Sequence, residues 1–483
     1  MATDTSIHGA VPVASESKAS DKSDKSDKKD NRLFRLGDDI FFVDRTANRV
    51  FIQYSDESER IEELTILRDM AVVDMKSVNS RDMAITIVTE EHELYLLQWA
   101  NSPSVSVLYK LDTGVRDVAV VRDNDDLAED HGIYQLIVLV VGLDESVSQR
   151  VYRCDQETGE VTWNPLVLER KGTSLRVSLE PTPFIDPTVF KDKIRKVTIV
   201  ASEILSSLRI VITDILVITD SGSVYKIPVV DEDFGLRSSE GTPVQIQFVD
   251  RSQPKDKILD NVSAVDLRVE ESIERDVLGE GSFWESPDSL ISLSILDNEG
   301  RVYHTCDATA KKGDPIKVIH VPWDGKGVKR MADSELFLTE DGNMVVPRCW
   351  AEGANLLQRV NGAVDVCKGV GETGFVTFDN DANVTMVASV VRAGGSRRTF
   401  NLYDEYRRQR TDRLRRQLNG EDPDAEEKMT QLFDALELDL LSPADEHIYA
   451  DLVDKARPHP VLSPEHSETA RQLYERLKSR LAG

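Results

Sequence analysis

The sequence predicts an all-β chain folded as a β-propeller of about seven blades, with a disordered N-terminal arm and a C-terminal α-helical tail. Three observations carry this. A hairpin pattern of apolar strand, polar turn and a second strand opening with Val or Leu recurs along the chain, clearest at 215–225 (ILVITDSGSVY), 292–303 (SLSILDNEGRVY) and 335–345 (ELFLTEDGNMV). Looser copies lie at 40–52, 84–96, 135–152 and 374–386, so the spacing is that of a repeat architecture. A short strand precedes most hairpins: VVDM at 72–75, VRDV at 115–118, IRKV at 194–197, AVDL at 264–267, VKRM at 328–331 and AVDV at 363–366. Lastly, the apolar period changes from two to about 3.6 after Thr399.

Residues 1–32 form the arm. Between Ser17 and Asp30 small polar residues alternate with Lys and Asp, and nothing apolar is available to offset the entropy of ordering. Residues 33–398 form the propeller. A strand followed by a hairpin, repeated about seven times, satisfies its edges best by closing into a ring. The fourth strand of a blade comes from segments such as 159–163, which follows a turn at 155–159. Insertions are expected at 123–131, 167–192, 231–256 and 270–289, where the spacing exceeds one blade. The longest apolar run, 136–143, is too short to span a bilayer and rich in β-branched residues, so it reads as a buried strand.

Residues 399–483 form the tail. Leu402, Tyr406, Leu414 and Leu418 keep a four-residue step, with Asn419 and Gly420 as the stop. A second helix spans 423–441. A third begins at Ser463, with Pro464 in its first turn, and the segment 456–460 before it is a linker.

The segment 72–96 (VVDMKSVNSRDMAITIVTEEHELYL) resembles the repeat of the regulator-of-chromosome-condensation family. That repeat runs through a Val-x-Asp-Val strand, an apolar strand, an acidic turn and a Val-Tyr strand. The resemblance covers most of 33–391 and implies a seven-bladed ring. It also implies, as an alternative function, nucleotide exchange on a small GTPase.

The chain of 483 residues carries a formal net charge of −27, a field that repels nucleic-acid phosphates and anionic lipid. Direct nucleic-acid binding is therefore not expected. With no apolar run long enough to span a membrane and no basic-then-apolar signal pattern, an intracellular location, cytoplasmic or nuclear, is expected. Cys154, Cys306, Cys349 and Cys367 show no paired spacing and read as reduced thiols. The histidines do not cluster, His92 lacks a second His four residues on, and Lys326 lacks the spacing of a phosphate loop. The numerous aspartates fall at turns, where Asp bonds its own backbone. No catalytic residue, cofactor or metal site is expected, and the chain is read as a non-enzymatic scaffold that binds other proteins. Two features nominate a contact surface. Arg407, Arg408, Arg410, Arg413, Arg415 and Arg416 form a basic cluster that either grips an anionic partner, such as chromatin or nucleic acid in a second alternative, or pairs internally. Leu432, Phe433 and Leu436 lie on an apolar stripe that either enters a partner's groove, joins two copies of the chain, or packs on its own protein.

Overall fold

In the computed structural model residues 29–481 are described apart from intervening stretches, of which 272–290, 306–315, 124–132 and 389–396 are the longest. The first 28 residues of the expected arm, and Cys306 and Cys349, lie outside the described residues. The strands form a seven-bladed β-propeller, each blade containing four antiparallel strands in sequence order. The innermost strands are Arg32–Leu36, Val72–Ser77, Val115–Asp123, Ile194–Ile204, Ala264–Glu271, Val328–Met331 and Ala363–Lys368. Six of these begin at the six short strands read from sequence.

Each blade interface holds its own hydrophobic core, which explains the composition of the strands. In the third blade Leu136, Val138 and Val140 pack toward the second blade, while Ile137, Leu139 and Val141 pack toward the fourth. A central strand covered on both faces is apolar at every position, and hence the long run at 136–143. The six short inner strands share a further device. Their pairing register shifts near the start of the strand, between Val72 and Asp74, Ile194 and Lys196, Ala264 and Asp266, Val328 and Arg330, and Ala363 and Asp365, with the matching shift opposite Val115 in the third blade. Such a bulge re-aims the next side chain, and in every copy that side chain is ionisable.

The hairpin turns bind one blade to the next. Gly222 (φ +84°) and Gly300 (φ +76°) lie in the left-handed region, and their carbonyls accept the N–H groups of Ala264 and Val328 at 3.0 and 2.8 Å. A Cβ at Gly222 would come within 2.5 Å of the Ser263 Cα, so this turn requires glycine on both counts. Ala382, also at positive φ, accepts the N–H of Leu402 at 2.8 Å in the same way.

Two expected boundaries are corrected. The propeller does not end at 398: Arg397–Asn401 is the outermost strand of the seventh blade, and helix α1 (Leu402–Leu418) follows directly. Nor does the arm extend to 32, because the Asn31 side chain donates to the Asp379 carbonyl at 3.0 Å and Arg32 opens a strand. The described residues of the tail form four helices where the sequence predicts three. The expected second helix is α2 (Ala425–Glu437), and its predicted end runs into a turn with Asp439 at φ +54° before α3 (Pro443–Ala456). Helix α4 (Pro464–Leu481) follows. Part of the insertion expected at 231–256 is a blade element: Gln247–Asp250 pairs in parallel with Lys317–Val321, extending the fifth blade.

Candidate interaction surface and the charged inner ring

Helix α1 is positioned by its sequence. Asn401 caps it, accepting from the N–H of Tyr403 at 3.1 Å, and the helix carries Asp404 and Glu405 in its first turn and Arg415 and Arg416 in its last, as its dipole favours. Among the described residues no strand is shared between the first and seventh blades. The helix instead lies across their junction. Leu402 is buried with Phe42 and Phe51 of the first blade and Phe378 of the seventh. Tyr403 and Tyr406 both meet the Phe51 ring edge-on at 5.3 Å, and the Tyr403 hydroxyl donates to Asp44 at 2.7 Å. Gln409 accepts the Ile61 N–H at 2.9 Å.

The six nominated arginines are engaged within the chain. Arg413 bonds Glu62 of the first blade at 3.0 Å, and Arg408 bonds Glu405 at 2.6 Å. Arg410 reaches Asp434 and, at 2.7 Å, Glu437 of α2, and Arg407 reaches Asp439 and the Leu438 carbonyl. Arg415 bonds Asp412 at 3.4 Å and Arg416 the Asp412 carbonyl at the same distance. Burial opposes the Arg410 charge, but the bonds to Asp434 and Glu437 outweigh it and raise the guanidinium pKa. The hydrogen bonds from Arg408 likewise hold Glu405 below the usual carboxylate range. The basic cluster thus ties α1 to the ring and to α2.

The apolar stripe divides. Leu432 is fully buried with Leu414, Leu418, Leu473 and Leu477, and Leu436 packs against the same cluster. Neither can lead a contact with a partner without opening the bundle. Phe433 differs, with 47% of its surface exposed, on a helix side that also presents Glu427, Thr430 and Glu437.

Sequence reasoning missed the ring of inner strands. Lys76 of the second blade bonds Asp117 of the third at 2.9 Å, and the other Asp117 oxygen accepts the N–H of Val197 in the fourth at 2.8 Å. Lys196 continues the chain to Asp266 of the fifth blade. Asp365 of the seventh accepts both the Leu33 N–H and Arg32 Nε of the first at 3.0 Å. Burial pushes the Asp266 carboxyl up, but Arg268 and Lys196 overcome it and hold its pKa well below the ordinary range. The signal is present in sequence as the third residue of each short strand, an ionisable side chain on the face opposite the apolar ones.

The turn aspartates match their sequence reading. Asp44 accepts the N–H groups of Thr46 and Ala47, Asp297 those of Glu299 and Arg301, and Asp379 those of Asp381 and Asn383, all at 2.8–2.9 Å. Cys154 and Cys367 are buried thiols outside any disulfide. Among the described residues no three His, Cys, Asp or Glu side chains gather as a metal site, and no helix is long and apolar enough to cross a membrane.

No family model matches the chain, and no curated protein matches it. Among solved structures it is similar to human WBSCR16, at 10% identity and a TM-score of 0.38 over 73% of this chain and 88% of that one. It is also similar to Sqt1 of Saccharomyces cerevisiae, at 9% identity and a TM-score of 0.38 over 74% of this chain and 84% of that one. At this distance the likeness is one of fold alone.

Proposed function

We propose that this protein is a non-enzymatic interaction platform that binds other proteins through the propeller turns and the outer side of the helical tail. The observation that carries the reading is how the ionisable side chains are used. The turn aspartates, the inner-ring aspartates and the α1 arginines are bonded to their own chain, as structural parts are. The α1 arginines support this reading over a phosphate grip, since each already has an acceptor. What the tail leaves outward is Phe433 among acidic neighbours, an aromatic anchor of the type that dominates interface energetics.

The test is affinity capture from native extract with cross-linking mass spectrometry, using the full chain and Phe433→Glu. The reading predicts a reproducible partner, or a second copy of the chain, cross-linked to blade turns or to α2, with recovery reduced at least tenfold by the substitution. Recovery of monomer alone contradicts the platform reading. A partner retained in full by Phe433→Glu removes α2 from the contact and leaves the propeller turns.

A further inference from the structure

Among the described residues, Arg330 is the one member of the inner ring without a direct ionic partner. It follows the bulge on Val328–Met331 in the sixth blade, between Asp266 of the fifth blade and Asp365 of the seventh. Both carboxylates are occupied. Asp365 holds Arg32 and the N–H groups of Leu33 and Val366, each at 3.0 Å. Asp266 holds Lys196, and Arg268 at 3.4 Å. Arg330 forms no ion pair or hydrogen bond with either, and its Nε is enclosed without an acceptor.

An enclosed Nε is not by itself unusual. Arg45, Arg60, Arg150 and Arg268 share it, but each of those guanidinium groups reaches a carboxylate: Glu90, Glu62, Asp112 and Asp266. Among these five arginines Arg330 alone lacks one. The neighbouring Lys329 is matched by Asp30 at 3.6 Å, so it neither supplies nor needs a counter-charge here. Desolvation of this half-buried cation, joined by repulsion from Arg32, lowers the Arg330 pKa, and the more distant Asp365, Asp266 and Asp30 offset it only in part.

We propose that Arg330 binds a small carboxylate monoanion at the inner ring of the propeller. The guanidinium presents a planar fork that matches two carboxylate oxygens, and a single negative charge neutralises the one cation left over. A more highly charged anion would overcompensate in a ring that already holds Asp266 and Asp365, inside a chain of net charge −27.

Thermal unfolding of the full chain tests this, with acetate titrated against acetamide at constant ionic strength. A ligand that binds only the folded state raises the melting temperature as its concentration passes Kd. The expected result is a rise with acetate and none with acetamide in the native protein. Arg330→Gln should lose that rise while melting no lower than the native chain without ligand. Arg330→Lys, which keeps the charge and loses the fork, should retain a smaller rise. A tripeptide with a free C-terminus, run against its C-terminal amide, separates the sources. If only the tripeptide acid acts, and only on the native protein, the carboxylate is a chain end and the site stands. Equal rises in native and Arg330→Gln protein, no rise with either carboxylate, or a lower ligand-free melting temperature in Arg330→Gln would each overturn the proposal.

Discussion

At the scale of single residues, position in the ring decides what a charge is worth. Asp365 and Arg330 are neighbours on adjoining inner strands and have opposite roles. Asp365 is 4% exposed and closes the first blade against the seventh through Arg32 and the Leu33 N–H. Removing it leaves a guanidinium and a backbone donor without their acceptor, and loss of one partner of a buried pair costs about 3–5 kcal/mol. Asp365→Ala should therefore lower unfolding free energy by about 3 kcal/mol in a denaturant titration. A loss below about 1 kcal/mol would mean that water already serves Arg32 and that the contact does little for closure. The spacing of these residues was legible in sequence, since AVDV recurs as VVDM, VRDV and AVDL. Their partners were not, because each carboxylate reaches a different blade, and separations such as the 332 residues from Leu33 to Asp365 leave no local pattern.

Among the elements, α1 shows most clearly what a one-dimensional reading captures and what it misses. Its periodicity and its cap are local, so its extent was predictable from Leu402, Tyr406, Leu414 and Leu418. The arginines posed a choice between a free basic face and internal pairing, and sequence could not resolve it because three of the six, Arg407, Arg410 and Arg413, find acceptors outside α1. Glu62 belongs to the first blade, and Asp434 and Glu437 belong to α2. The end of α2 was overrun for a similar reason: Leu438 and Leu441 continue an apolar pattern, but they pack from a turn. The arginines should separate by environment. Arg410, whose side chain is 18% exposed and bonded to two carboxylates, should cost about 1.5–3 kcal/mol as Arg410→Gln. Arg416, which only meets a carbonyl on its own helix at 3.4 Å, should cost under about 0.5 kcal/mol as Arg416→Gln. Equal effects in thermal unfolding would contradict the bonding assigned to α1.

For the whole molecule, the propeller could be read from repetition, because each blade buries both faces of its strands and must therefore repeat the same apolar code. How the ring closes could not be read. A propeller that shares a strand between its ends announces nothing in sequence, and neither does one that uses a helix instead. Here the Leu402 N–H donates to the Ala382 turn, a bond that begins a new blade at Ala264 and Val328, and the chain then starts a helix across the junction. The tail is consequently part of the ring, and truncation after Val391 would remove the outer strand of the seventh blade together with the clasp. Hydrogen–deuterium exchange on the full chain and on the double variant Tyr403→Ala, Tyr406→Ala tests this closure most directly. Losing two aromatic contacts with Phe51 and the bond to Asp44 should loosen the junction first. Amides of Arg32–Leu36 and Ala363–Lys368 are predicted to exchange at least tenfold faster, while those of Ile194–Ile204 and Arg209–Thr219 on the far side keep their protection. Faster exchange confined to α1–α4, with both junction strands unchanged, would show that the helix merely rests on a ring closed by other means.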